Sequence, residues 1–540
     1  MIRWGCFEGV SLVASGPVST QTAGVSSSMD IAADLSPSQR RFLYLTALVN
    51  GAAIMIVEIL GAKMLAPYLG TSHFVWTAQI GVAMGSLAAG YYIGGRWADA
   101  DAGLNRLFAA MMAAALYLVL TVVGVRFVAV QCLDFSLPVG SLLASMFLFF
   151  VPLSLLAMTC PFLVRFLIHR LQAVGGAVGR LTALSTVGSL AGTALIGYLL
   201  IPLAPISITM VVTAGLVALI ALVHFVAWGR RPAAAVATTA VLTLVSVLTV
   251  RQDLNTQYTQ VKQLYRGNSN FGQLQVVETR SGSLRFYVND YLIQNTYIPK
   301  TGQSGSLFTY ALHGLARIHV ESLRSVLCIG LGVGIVPSQL AGEGVRVDVV
   351  EINPAVVPVA EKFFGLDVSR LNLAFGDGRQ FLNRCTNRYD AVLLDAFLGD
   401  SSPAHLMTRE AFAAMRAVMT PDGVLVINCF GSTERGRDFF LASLAKTLRA
   451  AFGHVELHAA DNGNAFFVAS ATPLRAFRTI DPQTIHPMVR DDVMAVLART
   501  REPDPLHGRV LTDDFNPVEF HDAANRERLR RNLAKSMQEL

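Results

Sequence analysis

The hydrophobic pattern divides the chain into two parts. Up to about residue 250, long apolar runs alternate with short polar segments, and beyond that point the apolar runs become short. A membrane-crossing helix needs roughly 20 mostly apolar residues. Seven stretches satisfy this, the last only just: about 42–66, 74–95, 107–130, 138–167, 181–203, 206–228 and 233–250. The pattern therefore predicts a bundle of about seven transmembrane helices over residues 41–250.

Small and charged residues inside these stretches add detail to the predicted bundle. Pairs of glycines four residues apart, such as Gly188 with Gly192, predict that helix backbones approach closely in lipid. Glu58 lies inside the first stretch, and a charge within a membrane is a candidate functional group.

Positive charges in the short connections predict the orientation of the bundle. Arginines precede the first helix and then occupy alternate connections, at positions 40, 41, 96, 106, 165, 170, 180, 230 and 231. The remaining connections are nearly empty of positive charge. This pattern predicts a cytoplasmic N-terminus in a multi-pass protein of the cell (inner) membrane. Seven helices then place the C-terminal half outside the cytoplasm, but the marginal 233–250 segment leaves that side open.

The composition agrees with a membrane protein and excludes some other classes. Hydrophobic residues make up 53% of the chain and charged residues only 15%, and the mean hydropathy is +0.48. Soluble proteins carry roughly 25% charged residues. The net charge of +6 is modest and no dense basic run occurs, so nucleic acid is not an expected partner. Residues 1–40 are rich in Ser, Ala and Gly and are predicted to form a disordered tail.

The six cysteines show neither metal-ligand spacing nor a disulfide framework, so we predict no metal site. Cys328 and Cys429 lie in apolar, strand-like runs and are expected to be buried free thiols.

The C-terminal half predicts an α/β domain. Residues 251–320 form a β-hairpin and linker region, with strands at 273–279 and 284–289, followed by a helix from about 304 to 318. Residues 321–540 then alternate strands with helices, which is typical of a doubly wound parallel sheet. The predicted strands are 325–330, 346–351, 390–395 and 423–428, with a later pair at 454–458 and 465–469.

A glycine turn and a downstream acid predict a nucleoside site. Gly330, Gly332 and Gly334 follow the first strand and precede a helix, and Glu351 ends the next strand. The glycines allow the backbone to approach a ligand, and the carboxylate can accept hydrogen bonds from both ribose hydroxyls.

Two further acids follow later strands. Asp377, in the Asp377-Gly378 pair, can accept a hydrogen bond from the exocyclic amine of adenine. Asp395 ends the predicted strand 390–395. Ligands bind at the carboxyl ends of the strands in open α/β sheets, so Asp395 is expected beside the reacting atoms. The alternative for Asp395 is a helix N-cap.

With these motifs, residues 260–470 resemble the spermidine synthase family of aminopropyltransferases, within the S-adenosylmethionine-methyltransferase-like (Rossmann-like) fold. The whole chain resembles membrane-fused spermidine synthase-like proteins with a transporter-like N-terminal half. The resemblance implies decarboxylated S-adenosylmethionine as co-substrate and methylthioadenosine as product, with no tightly bound cofactor. It also implies Asp395 as the proton acceptor, and it suggests a homodimer.

The resemblance also implies substrate-binding residues, but at these positions the match to the family is looser. Asn428 stands where the family often has Gln, and Gln294 and Tyr310 fall in the segment that closes over the substrates. Two acids of the family are replaced, by Val333 in the glycine turn and by Leu398 after Asp395. Asp400 is the candidate substitute for the second acid, because desolvated ammonium groups need an opposite charge.

The sequence thus predicts a membrane-bound enzyme of polyamine (spermidine) biosynthesis that transfers an aminopropyl group to an amine such as putrescine. One alternative is an S-adenosylmethionine-dependent methyltransferase, because the loss of the acid at Val333 can admit a carboxylated donor. The other is a transporter that senses a nucleoside or polyamine without catalysis. The presumed donor is made inside the cell, which conflicts with the outside location that seven helices imply.

Overall fold

The structure is a computed structural model that describes residues 35–70, 72–100, 103–167, 174–229, 232–254, 260–290, 292–397, 403–460, 463–504, 506–521, 525 and 528. Most of the predicted tail lies outside these residues. Its predicted end at residue 40 is too late, because the first helix begins at Pro37. The hydroxyl of Ser36 accepts a hydrogen bond from the N–H of Gln39 and caps that helix.

All seven apolar stretches are helical. They form α1 (Pro37–Leu69), α2 (His73–Ala100), α3 (Leu104–Cys132), α4 (Leu137–Leu167), α5 (Val174–Leu203), α6 (Ile206–Ala227) and α7 (Pro232–Leu254). Among the described residues, six of these helices are long and apolar enough to cross a membrane. Helix α2 is the one that is not apolar enough, whereas α7, which corresponds to the marginal seventh stretch, is. With 28 residues, α2 is about 42 Å long at about 1.5 Å per residue.

Two of the predicted glycine pairs, Gly90 with Gly94 and Gly188 with Gly192, bring the bundle helices into close contact, whereas a Cβ atom at Gly81 or Gly85 would meet nothing within 4 Å. A Cβ atom at Gly188 of α5 would overlap the backbone of Leu48 in α1, and one at Gly192 would overlap that of Ala52. Gly90 of α2 faces the backbone of Ser154 in α4 in the same way. Small residues at these contacts therefore set the distance between helices.

A small antiparallel sheet follows the bundle. Its five strands pair in chain order: β1 (Val261–Ser269), β2 (Gly272–Thr279), β3 (Arg285–Asn289), β4 (Leu292–Ile298) and β5 (Gln303–Ser304). The predicted hairpin is confirmed as β2 and β3, whereas β1, β4 and β5 were not predicted. The predicted helix is α8 (Leu307–His319).

The larger sheet confirms the predicted α/β architecture. Its strands are β6 (Ser325–Ile329), β7 (Arg346–Glu351), β8 (Asn372–Phe375), β9 (Tyr389–Leu394), β10 (Met419–Phe430), β11 (His454–Ala459), β12 (Asn464–Ser470) and β13 (Thr500–Arg501). Their order is β13-β11-β12-β10-β9-β6-β7-β8. Strands β6 to β10 are parallel, whereas β12 and β11 run antiparallel to their neighbours.

Helices cover both faces of this sheet and bury two apolar cores. They are α9 (Ile335–Gly342), α10 (Val356–Phe364), α11 (Gly378–Arg384), α12 (Arg409–Ala417), α13 (Phe439–Phe452), α14 (Arg490–Ala498) and the short α15 (Val518–His521). Cys328 and Cys429 are buried free thiols in β6 and β10, as predicted.

The α/β part contacts one end of the helical bundle. The ring of Phe74, at the start of α2, lies 6.0 Å from the ring of Phe520 in α15. The last turn of α5, at Ile201–Leu203, contacts strand β1. Both contacts lie at the end where α1, α3, α5 and α7 finish.

Candidate active site

A cavity of about 440 Å³ lies at the carboxyl ends of the parallel strands. Residues at or just after the carboxyl ends of β6, β7, β8, β9 and β10 line one side of it, and residues of β4 and the start of α8 also line it. Cavities of roughly 300–1,000 Å³ suit small-molecule ligands. This is the edge where a doubly wound sheet binds its ligand.

The glycine turn brings two strand ends together. Gly330 has φ +100°, and its N–H donates to the Val350 carbonyl at 2.8 Å. A Cβ atom there would overlap the carbonyl oxygen of Asp395, so a side chain does not fit. Val333, by contrast, is 1% exposed in the apolar core and does not line the cavity. Val333, which replaces the acid of the family's glycine turn, therefore contributes no charge to the cavity.

Glu351 lies at the end of β7, and backbone donors fix its carboxylate. Its two oxygens accept hydrogen bonds from the N–H of Leu331 at 2.8 Å and of Asn353 at 2.7 Å. Burial raises the pKa of Glu351, and the backbone hydrogen bonds oppose that rise. A carboxylate has about four acceptor positions, so each oxygen can still accept from a ribose hydroxyl.

Asp377 is a helix cap as well as a cavity residue. One oxygen accepts from the Gln380 N–H at 2.9 Å at the start of α11, and the other contacts Nε2 of His405 at 2.8 Å. Burial raises the pKa of Asp377, but these hydrogen bonds outweigh it and lower the pKa below its usual value. Gly378 follows, and a Cβ atom there would contact Ile329 closely.

Asp395 lies directly after β9, at the floor of the cavity. Its backbone N–H donates to the Ile329 carbonyl at 2.9 Å, and its carboxylate accepts from Nδ2 of Asn428 at 2.9 Å. Burial raises the pKa of Asp395 to about 6; the Asn428 hydrogen bond lowers it, and the nearby Glu351 raises it further. Among the described residues, no helix begins at Asp395, and its carboxylate contacts Asn428 instead.

The remaining predicted contacts separate into three cases. Gln294 and Asn428 line the cavity. Tyr310 does not: its hydroxyl donates to the Ser304 carbonyl at 3.0 Å, and the residue is buried in α8. Asp400 lies outside the described residues.

The structure adds cavity residues that the sequence did not indicate. Asp492, in the first turn of α14, and His405 both line the cavity. With Glu351, Asp377 and Asp395, the described lining contains four carboxylates and neither Lys nor Arg. The sequence carried no local signal for Asp492, because α14 reaches the cavity from about 100 residues after β9.

Fold and cavity together define an α/β domain of the methyltransferase-like class with an acidic cavity at the strand ends. A sequence profile of the spermine/spermidine synthase domain matches residues 307–457. A polyamine aminopropyltransferase of Vibrio vulnificus is 33% identical over 208 residues, which cover 36% of this chain and 68% of that protein. The chain therefore belongs to the spermine/spermidine synthase family of polyamine aminopropyltransferases, which are enzymes.

Two other proteins show how far the similarity extends. An N-terminal histidine N-methyltransferase of Emericella nidulans is 33% identical over 142 residues, covering 25% of this chain and 24% of that protein. The crystal structure of spermidine synthase from Thermotoga maritima superposes with a TM-score of 0.36 at 18% identity, covering 44% of this chain and 84% of that chain.

Replacing Gly330 with Ala tests the glycine turn. We expect Gly330→Ala to abolish binding of methylthioadenosine, because the new methyl group displaces the strand end that carries Asp395. Gly342→Ala is the matched control, since a Cβ atom there meets nothing within 4 Å. Calorimetric titration of both variants checks the prediction, and wild-type affinity in Gly330→Ala would contradict it.

Proposed function

We propose that this chain is a membrane-bound polyamine aminopropyltransferase that transfers the aminopropyl group of decarboxylated S-adenosylmethionine to a diamine such as putrescine. The observation that carries the proposal is the acidic cavity with Asp395 at its floor, since both substrates are cations. The nucleoside part of the donor binds to the glycine turn, with Glu351 on the ribose and the Asp377-Gly378 segment at the adenine.

The charge of the cavity favours a decarboxylated donor over S-adenosylmethionine. A carboxylate on the donor would enter a site that already contains four carboxylates and, among its described lining, no Lys or Arg. Burying an unpaired charge costs several kcal/mol. The sulfonium and the terminal ammonium of the decarboxylated donor are instead stabilised by these acids.

The reaction follows from the position of Asp395. The amine nitrogen of the acceptor attacks the methylene carbon beside the sulfonium, so that a C–N bond forms as the C–S bond breaks. The bonding pair passes to sulfur and gives methylthioadenosine, while Asp395 takes the proton that the nitrogen loses. Its raised pKa makes it a stronger base than an ordinary aspartate, and Asn428 orients the carboxylate.

Asp492 is the residue we assign to the distal ammonium of the acceptor. It is exposed at the cavity rim, in the first turn of α14, and supplies a carboxylate apart from the nucleoside-binding acids. An ammonium group needs an opposite charge on leaving water. Gln294, in β4, lines the same cavity and supplies a neutral polar contact.

Replacing the proposed base should remove catalysis without removing donor binding. We expect Asp395→Asn to lower kcat by about 10²–10⁴-fold, the usual contribution of a general base. Methylthioadenosine affinity, measured by calorimetry, should change little. An Asp395→Asn variant with wild-type kcat would contradict the assignment.

The pH dependence provides a second readout of the same residue. Only the unprotonated amine attacks, and its fraction rises tenfold per pH unit up to the amine pKa of about 10. A plot of log kcat/KM against pH should therefore have a slope of about one in that range. Deprotonation of Asp395 should add a second unit of slope below about pH 6, because the protonated acid cannot accept a proton. This steepening should disappear in Asp395→Asn, and its persistence would assign it to another group.

Replacing the rim carboxylate should affect the acceptor more than the chemistry. We expect Asp492→Asn to raise KM for putrescine by about tenfold, which corresponds to about 1.4 kcal/mol, with kcat nearly unchanged. Asp491→Asn is the matched control, because Asp491 is the exposed neighbour that does not line the cavity. Equal effects of both variants would contradict a specific contact.

The helical half supports a membrane location, and its loops support an orientation. Nine of the eleven arginines between residues 37 and 254 lie in or beside the connections at the end where α1, α3, α5 and α7 begin. Lys63, Arg126 and Arg251 lie toward the opposite end, which the catalytic domain contacts. The short connections on the domain side, 70–72, 133–136 and 204–205, contain no Lys or Arg. Positive charge marks the cytoplasmic side, so we propose that the domain faces away from the cytoplasm.

Impermeant thiol labelling tests this orientation. Ser281→Cys places an exposed thiol on the hairpin of the catalytic domain, and Ser38→Cys places one at the start of α1. In intact spheroplasts, we expect a membrane-impermeant maleimide to label Ser281→Cys, and Ser38→Cys only after permeabilisation. The reverse pattern would place the domain in the cytoplasm, beside the source of its donor.

A further inference from the structure

Two histidines and a glutamate converge outside the cavity, on strand β11 next to the β13 edge of the large sheet. His319 ends α8, and Glu456 and His458 alternate along β11 so that both face the same side. The Nε2 atoms of His319 and His458 lie 3.9 Å and 3.7 Å from Oε2 of Glu456. All three ligand atoms lie within 4.8 Å of one another.

The other ring nitrogen of each histidine fixes its tautomer. Nδ1 of His319 lies 3.2 Å from the Arg475 carbonyl, and Nδ1 of His458 lies 2.9 Å from the Val496 carbonyl. A carbonyl only accepts hydrogen bonds, so both Nδ1 atoms carry hydrogen. In neutral rings, the two Nε2 atoms therefore present lone pairs toward the Glu456 carboxylate. This second-shell arrangement is the one that orients metal-binding histidines.

A cation between three facing lone-pair donors satisfies all three of them at once. The Nε2 atom of His458 is buried and has no hydrogen-bond partner, and that residue is only 3% exposed. The separations from Glu456 are also too long for hydrogen bonds.

We propose that His319, Glu456 and His458 form a binding site for a divalent transition metal, with Zn²⁺ as the expected ion. Two imidazoles and a carboxylate suit zinc, and three protein ligands leave a fourth position for water. Tetrahedral bonds of about 2.0–2.1 Å place ligand atoms about 3.4 Å apart. The three ligand atoms lie within 4.8 Å of one another, so small side-chain adjustments bring them to this spacing, and Glu456, whose side chain is 35% exposed, leaves an entry path.

The site joins elements that are far apart in the chain. None of its three ligands lines the catalytic cavity. A metal there links the end of α8 to β11, while the start of α8, at Leu307 and Phe308, forms part of the cavity wall. The expected role is to fix the position of α8, separately from the chemistry at Asp395.

Zinc titration of the purified full-length chain tests the proposal. The chain is prepared in detergent without a histidine tag, treated with chelator and dialysed, then titrated calorimetrically with ZnCl₂ and with MgCl₂. We expect one Zn²⁺ per chain, no heat with Mg²⁺, and a Tm that rises with zinc concentration. Co²⁺ in place of zinc should give the visible absorption of a tetrahedral site.

Ligand variants separate this site from adventitious binding. We expect Glu456→Gln and His458→Gln to weaken zinc binding by more than about 100-fold, since even outer-shell changes cost roughly 10–100-fold. His313→Gln is the matched control: it lies on α8, but its ring pairs with Glu343 at 2.8 Å. Calorimetric binding of methylthioadenosine shows whether each variant is folded. If His458→Gln does not fold, Glu456→Gln provides the test, because Glu456 is partly exposed. Absence of stoichiometric binding, or equal binding by all variants, would overturn the proposal.

Discussion

The close packing of the Gly330 turn against the end of β9 is the contact on which the site depends. Gly330 has no side chain, and a Cβ atom would overlap the Asp395 carbonyl. The same two strand ends are joined by the hydrogen bond from the Asp395 N–H to the Ile329 carbonyl. The turn that we propose for the nucleoside and the carboxylate that we propose as the base are therefore held together by direct contacts. In the proposed mechanism, this arrangement fixes the donor relative to the base.

In the proposed mechanism, the acids of the cavity differ in function because their surroundings shift their pKa values in opposite directions. Hydrogen bonds lower the pKa of Asp377, so it stays ionised and acts as a fixed acceptor. Burial raises the pKa of Asp395 to about 6, which gives it the basicity that proton transfer requires. The carboxylates together also make the cavity attractive to cations, which matches a sulfonium donor and an amine acceptor.

Most of the fold could be predicted from the sequence because it depends on local patterns. Alternating apolar strands and helices indicated the α/β domain, and Gly330, Glu351 and Asp395 follow strands whose ends meet by topology. The composition of α2 is the exception: its many small and polar residues leave it below the hydropathy of the other six helices, although it packs among them. Hydropathy alone therefore does not settle the number of spans.

What the sequence did not indicate depends on contacts between distant segments. Asp492 reaches the cavity only because α14 folds back over it. Tyr310 was expected to contact substrate, but the direction it takes from α8 buries its hydroxyl against Ser304. Cysteine spacing could not indicate the proposed metal site, because its ligands are two histidines and a glutamate. His319 also lies 137 positions before Glu456 in the sequence.

Donor preference is the most direct test of the central claim, that the acidic cavity binds a decarboxylated nucleoside donor. The measurement is calorimetric titration of the purified chain with decarboxylated S-adenosylmethionine, S-adenosylmethionine and methylthioadenosine, beside Glu351→Ala. The account predicts that the decarboxylated donor and methylthioadenosine bind. It predicts that S-adenosylmethionine binds at least about tenfold more weakly, a difference of about 1.4 kcal/mol. The Glu351→Ala variant should bind none of the three ligands. Equal or tighter binding of S-adenosylmethionine would contradict the account and indicate methyl transfer instead.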